Sequence, residues 1–150
     1  MRLTDRDFEI IRHVHKHRFL RSTHIISLLR TSAQPILRRL NLLYHNGYLD
    51  RPRTQIDYYH QGGSRTMVYG LANRGAHLLQ QNSGAPRPRL GWNVKNQSVR
   101  PLYLQHTLLV ADVMVALECA CRENNKVRLI EAPEIASRLP SSTFQWQDSQ

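Results

Sequence analysis

Gln34, Arg38, Asn41 and His45 recur at three- and four-residue spacing, which on a helix turning about 100° per residue sets them along one side. Their chemistry is that of base edges and phosphates. A guanidinium donates to guanine or to phosphate, carboxamides pair with adenine, and an imidazole adds a polar donor. Arg39 flanks this stripe and Ser32 stands ahead of it as an N-cap. The plainer reading is the solvated polar face of an amphipathic helix, so the surrounding elements have to decide.

Other residue groups invite different chemistry. His13 and His17 are four apart, a spacing that suits metal chelation, but no acidic or cysteine partner lies near them in the sequence. A basic helix end beside phosphate is expected there, without a metal. His106 with Asp112, or Glu131 with Glu134, would make acid–base pairs, yet no Gly-rich loop or Cys/His cluster accompanies them. An ordinary histidine near a helix start accounts for His106. Neither an enzyme nor a cofactor is expected. Cys119 and Cys121, two apart on a helix, point in different directions; they suit a reducing cytoplasm better than a disulfide or a metal pair.

The elements that would position the stripe are legible around it. Ser32 and Pro35 start a helix. Ala33, Ile36, Leu37, Leu40, Leu43 and Tyr44 form its packing side, and Asn46-Gly47 stops it before a strand at Tyr48-Leu49. Upstream, Thr4 and Asp7 form a capping box. Phe8, Ile11, Val14 and His15 share a face of that first helix, whose far end, Arg12 to Arg18, is basic. Phe19-Leu20 bridges to a second helix capped by Ser22 or Thr23, with Ile25, Ile26, Leu28 and Leu29 apolar. Two short helices leading into a polar-faced third are the order of a helix-turn-helix.

Tyr48 to Tyr59 and Arg65 to Leu71 then read as two strands joined through the glycines at 62 and 63, with Met67, Tyr69 and Leu71 facing inward. Pro52 confines the first strand to an edge. Arg51, Arg53 and Arg65 on this hairpin suit the phosphate contacts of a wing. The predicted DNA-binding set is therefore Ser32, Gln34, Arg38, Arg39, Asn41, His45, Arg51, Arg53 and Arg65. The fold class is mainly α with a small β-hairpin: a winged helix-turn-helix, then a long C-terminal helix and a short strand.

Charge follows the same division. The 150 residues carry a net +10, with 41% hydrophobic content, enough for a core. Residues 1–82, the winged-helix domain, hold thirteen Lys and Arg against five Asp and Glu. Residues 83–101 carry four basic residues, Arg87 and Arg89 among them, and no acid; with three prolines they read as a basic extended linker. From 103 the balance reverses, four basic residues against six acidic. Residues 102–135 form a helix–strand extension. Its helix, 102–123, is apolar most of the way round, so dimerisation through it is the first expectation. Val127 to Ile130 is the short strand, and 136–150 is expected to be disordered. Met1 to Leu20 shows no signal peptide, and the longest apolar run, Leu108 to Cys121, contains Asp112 and Glu118 and is short for a bilayer. A soluble, cytoplasmic protein without a membrane partner is expected.

RRLNLLYHNGYLDR, then VYGLANRGAHLL, then LQHTLLVADVMVAL resemble the replication-relaxation family of plasmid and mobile-element proteins over roughly Leu3 to Ile135. The resemblance implies a DNA-binding protein of mobile elements. Family members usually continue into an acidic, nuclease-like α/β segment that this sequence lacks, so no catalytic role is expected and the chain is read as a fragment or shortened member. The combined expectation is a sequence-selective double-stranded-DNA-binding protein, dimeric, serving as a transcriptional regulator or a replication or transfer accessory factor. The alternative is a protein-interaction module on a winged helix that no longer binds DNA.

Overall fold

The computed structural model describes residues 1–57, 66–83, 91–124, 126–130 and 132–140. The elements run α1 (Asp5–His17), β1 (Phe19–Arg21), α2 (Ser22–Leu29), α3 (Ala33–His45), β2 (Leu49–Asp50), α4 (Thr54–Asp57), β3 (Val68–Leu71), α5 (Asn73–Ser83), α6 (Trp92–Gln97), α7 (Pro101–Glu123) and α8 (Ala132–Arg138). The chain is mainly helical, with one three-stranded antiparallel sheet in the order β1-β3-β2 and a long C-terminal helix. Helix, strand, two helices, then two strands with a short helix between them is an order compatible with a winged helix.

α1 begins at the predicted capping box, where Asp7 Oδ2 accepts from Thr4 N at 2.7 Å and from the Thr4 hydroxyl at 2.8 Å. Ile10, Ile11 and Val14 face the core, where they meet Leu20, Ile25, Leu28, Ile36, Leu40, Leu43, Leu49 and Leu71. β1, expected only as a bridge, is a strand because β3 supplies its partners: Phe19 opposes Gly70, Leu20 opposes Tyr69 and Arg21 opposes Val68. Phe19 leaves no room opposite, since a Cβ on Gly70 would lie 2.7 Å from its ring. The cap of α2 is Arg21 rather than Ser22 or Thr23, with the His24 ring reaching back to its backbone.

The hairpin departs from expectation. β2 ends at Asp50 and a short helix, α4, follows where a strand to Tyr59 was predicted. Pro52 has no N–H to continue the ladder. Gln55 takes over instead: its side-chain amide accepts from Val68 N at 2.8 Å and donates to Val68 O at 3.2 Å, doing with a side chain what a strand does with backbone. Val68, Tyr69, Gly70 and Leu71 are all buried, not alternately, with Phe19 and Leu104 packed on Val68 and the main core on Tyr69 and Leu71. The predicted turn, residues 60–64, lies outside the described residues.

The linker reading also needs correction within 92–97. α6 forms there and inserts Asn96, fully buried, against the sheet. Asn96 Nδ2 donates to Leu71 O at 2.8 Å and Asp50 Oδ2 at 3.2 Å, and its Oδ1 accepts from Arg18 at 2.7 Å. Arg18 adopts a positive φ of 69°, strained for a non-glycine residue. Its guanidinium lies over the rings of Phe19 and Trp92.

α7 lays Leu104, Leu108, Ala111, Val115 and Glu118 onto α2 and β1, leaving Leu109, Val110, Val113 and Leu117 exposed. By length and composition this 23-residue helix could cross a membrane, where the shorter apolar run suggested otherwise. Its buried stripe and ion-paired Asp112 and Glu118 are those of a helix packed on a core. Residues 127–130, predicted as a strand, find no sheet edge to join and have no regular structure. Within the stretch expected to be disordered, residues 136–138 belong to α8, where Glu134 pairs with Arg128 and Arg138.

Candidate nucleic-acid interface

α3 starts and stops where its sequence dictates. Ser32 occupies the N-cap position, though its side chain makes no capping hydrogen bond, and Pro35 sits in the first turn. At the other end Gly47 takes φ +72°, so that Gly47 N reaches Tyr44 O and Tyr48 N reaches Leu43 O, each at 3.0 Å. Ile36, Leu40 and Leu43 are buried. Ser32, Gln34, Arg38, Asn41 and His45 are all exposed, so the predicted stripe faces solvent in one row. Ala33 and Leu37, assigned to the packing side, are exposed as well. The buried positions follow i, i+4, i+7, and residue 37 falls about 100° away from Ile36.

Beside this row stands Arg51. Its guanidinium lies 4.1 Å from the Tyr44 ring centroid and 5.1 Å from that of Tyr69, and Nη2 donates to Asn41 Oδ1 and to the Tyr69 hydroxyl, each at 3.1 Å. The start of the β2–β3 connection is thereby fastened to the middle of α3. Arg53 is exposed two residues on, at the edge of a cleft lined by Tyr44, Arg51, Pro52 and Gln97. The aromatic cradle of Arg51 escaped the sequence reading, although a tyrosine on either side of a basic turn was visible.

Arg39 turns the other way. Its Nε donates to Asp7 Oδ1 at 2.8 Å and its Nη2 to Asp7 Oδ2, and Asp7 is fully buried. Burial opposes ionisation of Asp7, but Arg39 and Thr4 outweigh it and hold the carboxyl below its usual range. Arg39 is thus a tie between α1 and α3. Arg65 lies outside the described residues. Among the described residues, Arg38 and Arg53 form no ion pair or hydrogen bond. Arg21 meets Asp112 and Arg30 meets Glu123, while Arg74 lies over the Tyr48 ring. The row on α3 therefore carries uncommitted positive charge where most neighbouring charge is spent internally.

The remaining candidates regroup. Asp112 is not paired with His106, which is exposed. It accepts instead from Arg21 at 2.5 Å and from His24 Nε2 at 2.6 Å, fastening α7 to α2. Burial lowers the His24 pKa, only partly offset by Asp112. With Nδ1 accepting from Arg21 N, the neutral ring donates through Nε2. Glu131 lies outside the described residues. His13 and His17 do have an acidic partner, Glu118, about a hundred residues away in sequence and absent from any local reading.

The family model described as replication-relaxation matches residues 11–139. No curated protein and no solved structure matches the chain.

Proposed function

The chain belongs to the replication-relaxation family, and from that premise we propose that it is a non-enzymatic, sequence-selective double-stranded-DNA-binding protein of a plasmid or mobile element. In this reading it works as a transcriptional regulator or as a replication or transfer accessory factor in the cytoplasm. The observation that carries it is the exposed row Gln34, Arg38, Asn41 and His45 on α3, flanked by Arg51 and Arg53. The row offers donors and acceptors spaced for base edges, and the flank offers charge for phosphate. An exposed Leu37 between them can meet a thymine methyl. A second surface, α7 with Leu109, Val110, Val113 and Leu117, is an apolar face of a kind rarely left uncovered. A second copy bound there isologously would present two α3 helices to neighbouring half-sites of a two-fold symmetric target.

Affinity for a selected site and for random duplex, each measured over a range of salt, tests the reading. Arg38→Ala is expected to weaken the selected site by about 1–3 kcal/mol more than random DNA. Arg53→Ala is expected to weaken both alike and reduce the salt slope by about one. Binding that is insensitive to both changes and to salt would assign the protein to the interaction-module alternative, with α7 as its working surface.

A further inference from the structure

Where α1 and α7 cross, one ligand atom from each of His13, His17 and Glu118 lies within 4.8 Å of the other two. The histidines stand one helical turn apart on α1, so their rings project to the same side. Glu118 comes from the buried face of α7. His17 Nε2 is 3.0 Å from Glu118 Oε1, close to the roughly 3.3 Å between two ligands of a tetrahedral zinc ion. His17 Nε2 and Glu118 Oε1 are both buried and face each other without a well-aligned hydrogen bond, the His17 side chain only 5% exposed. A ring nitrogen and a carboxylate oxygen so placed, with a second imidazole beside them, present three ligand atoms to one point.

We propose that His13, His17 and Glu118 bind one divalent transition-metal ion of the zinc class, its fourth position opening on the groove bounded by Glu9, Cys121 and Arg122. Two imidazoles and one carboxylate with an open position are an established zinc ligand set. Burial lowers the pKa of both histidines, more than Glu118 raises it. Glu118 is held ionised: burial opposes this, but Lys16 and the histidines prevail.

The obstacle is positive charge. Lys16 Nζ lies 2.9 Å from Glu118 Oε1, Arg122 Nη2 lies 3.9 Å from Oε2, and Arg12 and Arg128 line the same groove with Glu9. Lys16 is the cation a metal must displace. Its side chain is 31% exposed on a flexible stem and can swing to solvent. The surrounding cations therefore weaken the site without closing it, and a bound ion staples α1 to α7.

Titration of the full chain with Co²⁺, followed by its visible absorption and by competition with Zn²⁺, tests the site. One ion per chain is expected, with a tetrahedral-type spectrum and an unfolding midpoint raised by roughly 5–10 °C when metal is at a hundred times its Kd. His13→Ala leaves the buried His17–Glu118 contact in place, so it is expected to fold, confirmed by circular dichroism, and to bind more than about 100-fold more weakly. His13→Cys is expected to retain the ion and add a thiolate-to-cobalt band. Lys16→Met is expected to tighten binding. Equal affinity in wild type and His13→Ala would mean that exposed histidines hold the metal and would overturn the site, as would a Lys16→Met variant that binds no better.

Discussion

Arg39→Met asks whether the basic residue on the flank of α3 reads DNA or holds α3 to α1. Asp7 is fully buried, and Arg39 supplies two of its four hydrogen bonds, the other two coming from Thr4. Removing one partner of a buried ion pair costs about 3–5 kcal/mol. The Arg39 side chain is 24% exposed and the Thr4 donors remain, so the cost is reduced below that range, to about 2–3 kcal/mol at pH 7. For a chain of this length that is a midpoint lower by roughly 4–12 °C. The pH dependence carries a sharper signature. In the wild type the Asp7 pKa is depressed, so its stabilisation is present above the unfolded value of about 3.9 and is lost as pH falls through the folded pKa. In the variant, burial is no longer outweighed, the pKa rises, and protonation relieves the penalty. The stability gap should therefore be widest at pH 7 and narrow toward pH 4. Urea unfolding at several pH values measures it; a cost below about 0.5 kcal/mol, or a gap that does not change with pH, would falsify the buried-tie argument.

Three further outcomes follow from the packing. Gly75→Ala would place a Cβ 2.3 Å from Tyr48 O, a backbone atom that also accepts from Ala72 N, so a loss of about 1–3 kcal/mol is expected in chemical denaturation. His13, His17 and His24 all have pKa values lowered chiefly by burial; the unfolded chain takes up protons first, so stability should fall as pH drops below about 6.5, and an unfolding midpoint unchanged between pH 7 and 5 would count against these burials. Leu109→Glu with Val113→Glu should leave a folded chain, since both residues are exposed, and shift sedimentation from dimer to monomer. Leu108 and Val115 are buried against the chain's own core, so charges there would test folding instead.

How far the sequence could be read depended on how local each feature is. α3 is almost wholly legible: its caps, its buried period and its polar row lie within twenty residues, and Gly47 fixes its end. Asp7 announced its capping role but not Arg39, which comes from another helix. β1 was missed because three residues make a strand only once β3 is beside them. Gln55 standing in for a strand, and Asn96 buried against the sheet from within a segment read as a linker, have no periodic signal at all. On α7 the spacing puts Leu104, Leu108, Ala111 and Val115 on one broad face, and these are buried; because the helix is apolar on several sides, sequence alone did not say whether that face meets the chain's own core or a second copy. Glu118 beside His13 and His17 was unreachable by any local reading, being set by the crossing of α1 and α7.

The contacts that fasten α7 to α2 join residues about ninety positions apart, with Arg21 and His24 reaching Asp112 and Arg122 reaching Leu28 O. Phe19 is likewise covered by Leu104 and Leu108. This imposes an order on biosynthesis. At about 5–20 residues per second, several seconds separate the emergence of α2 from that of the helix that covers it. During that interval Phe19 and the inner side of α2 lack the cover that α7 gives them, and closing so long a loop slows folding. The aggregation hazard of this protein thus lies in the nascent chain, before its last long helix has been made.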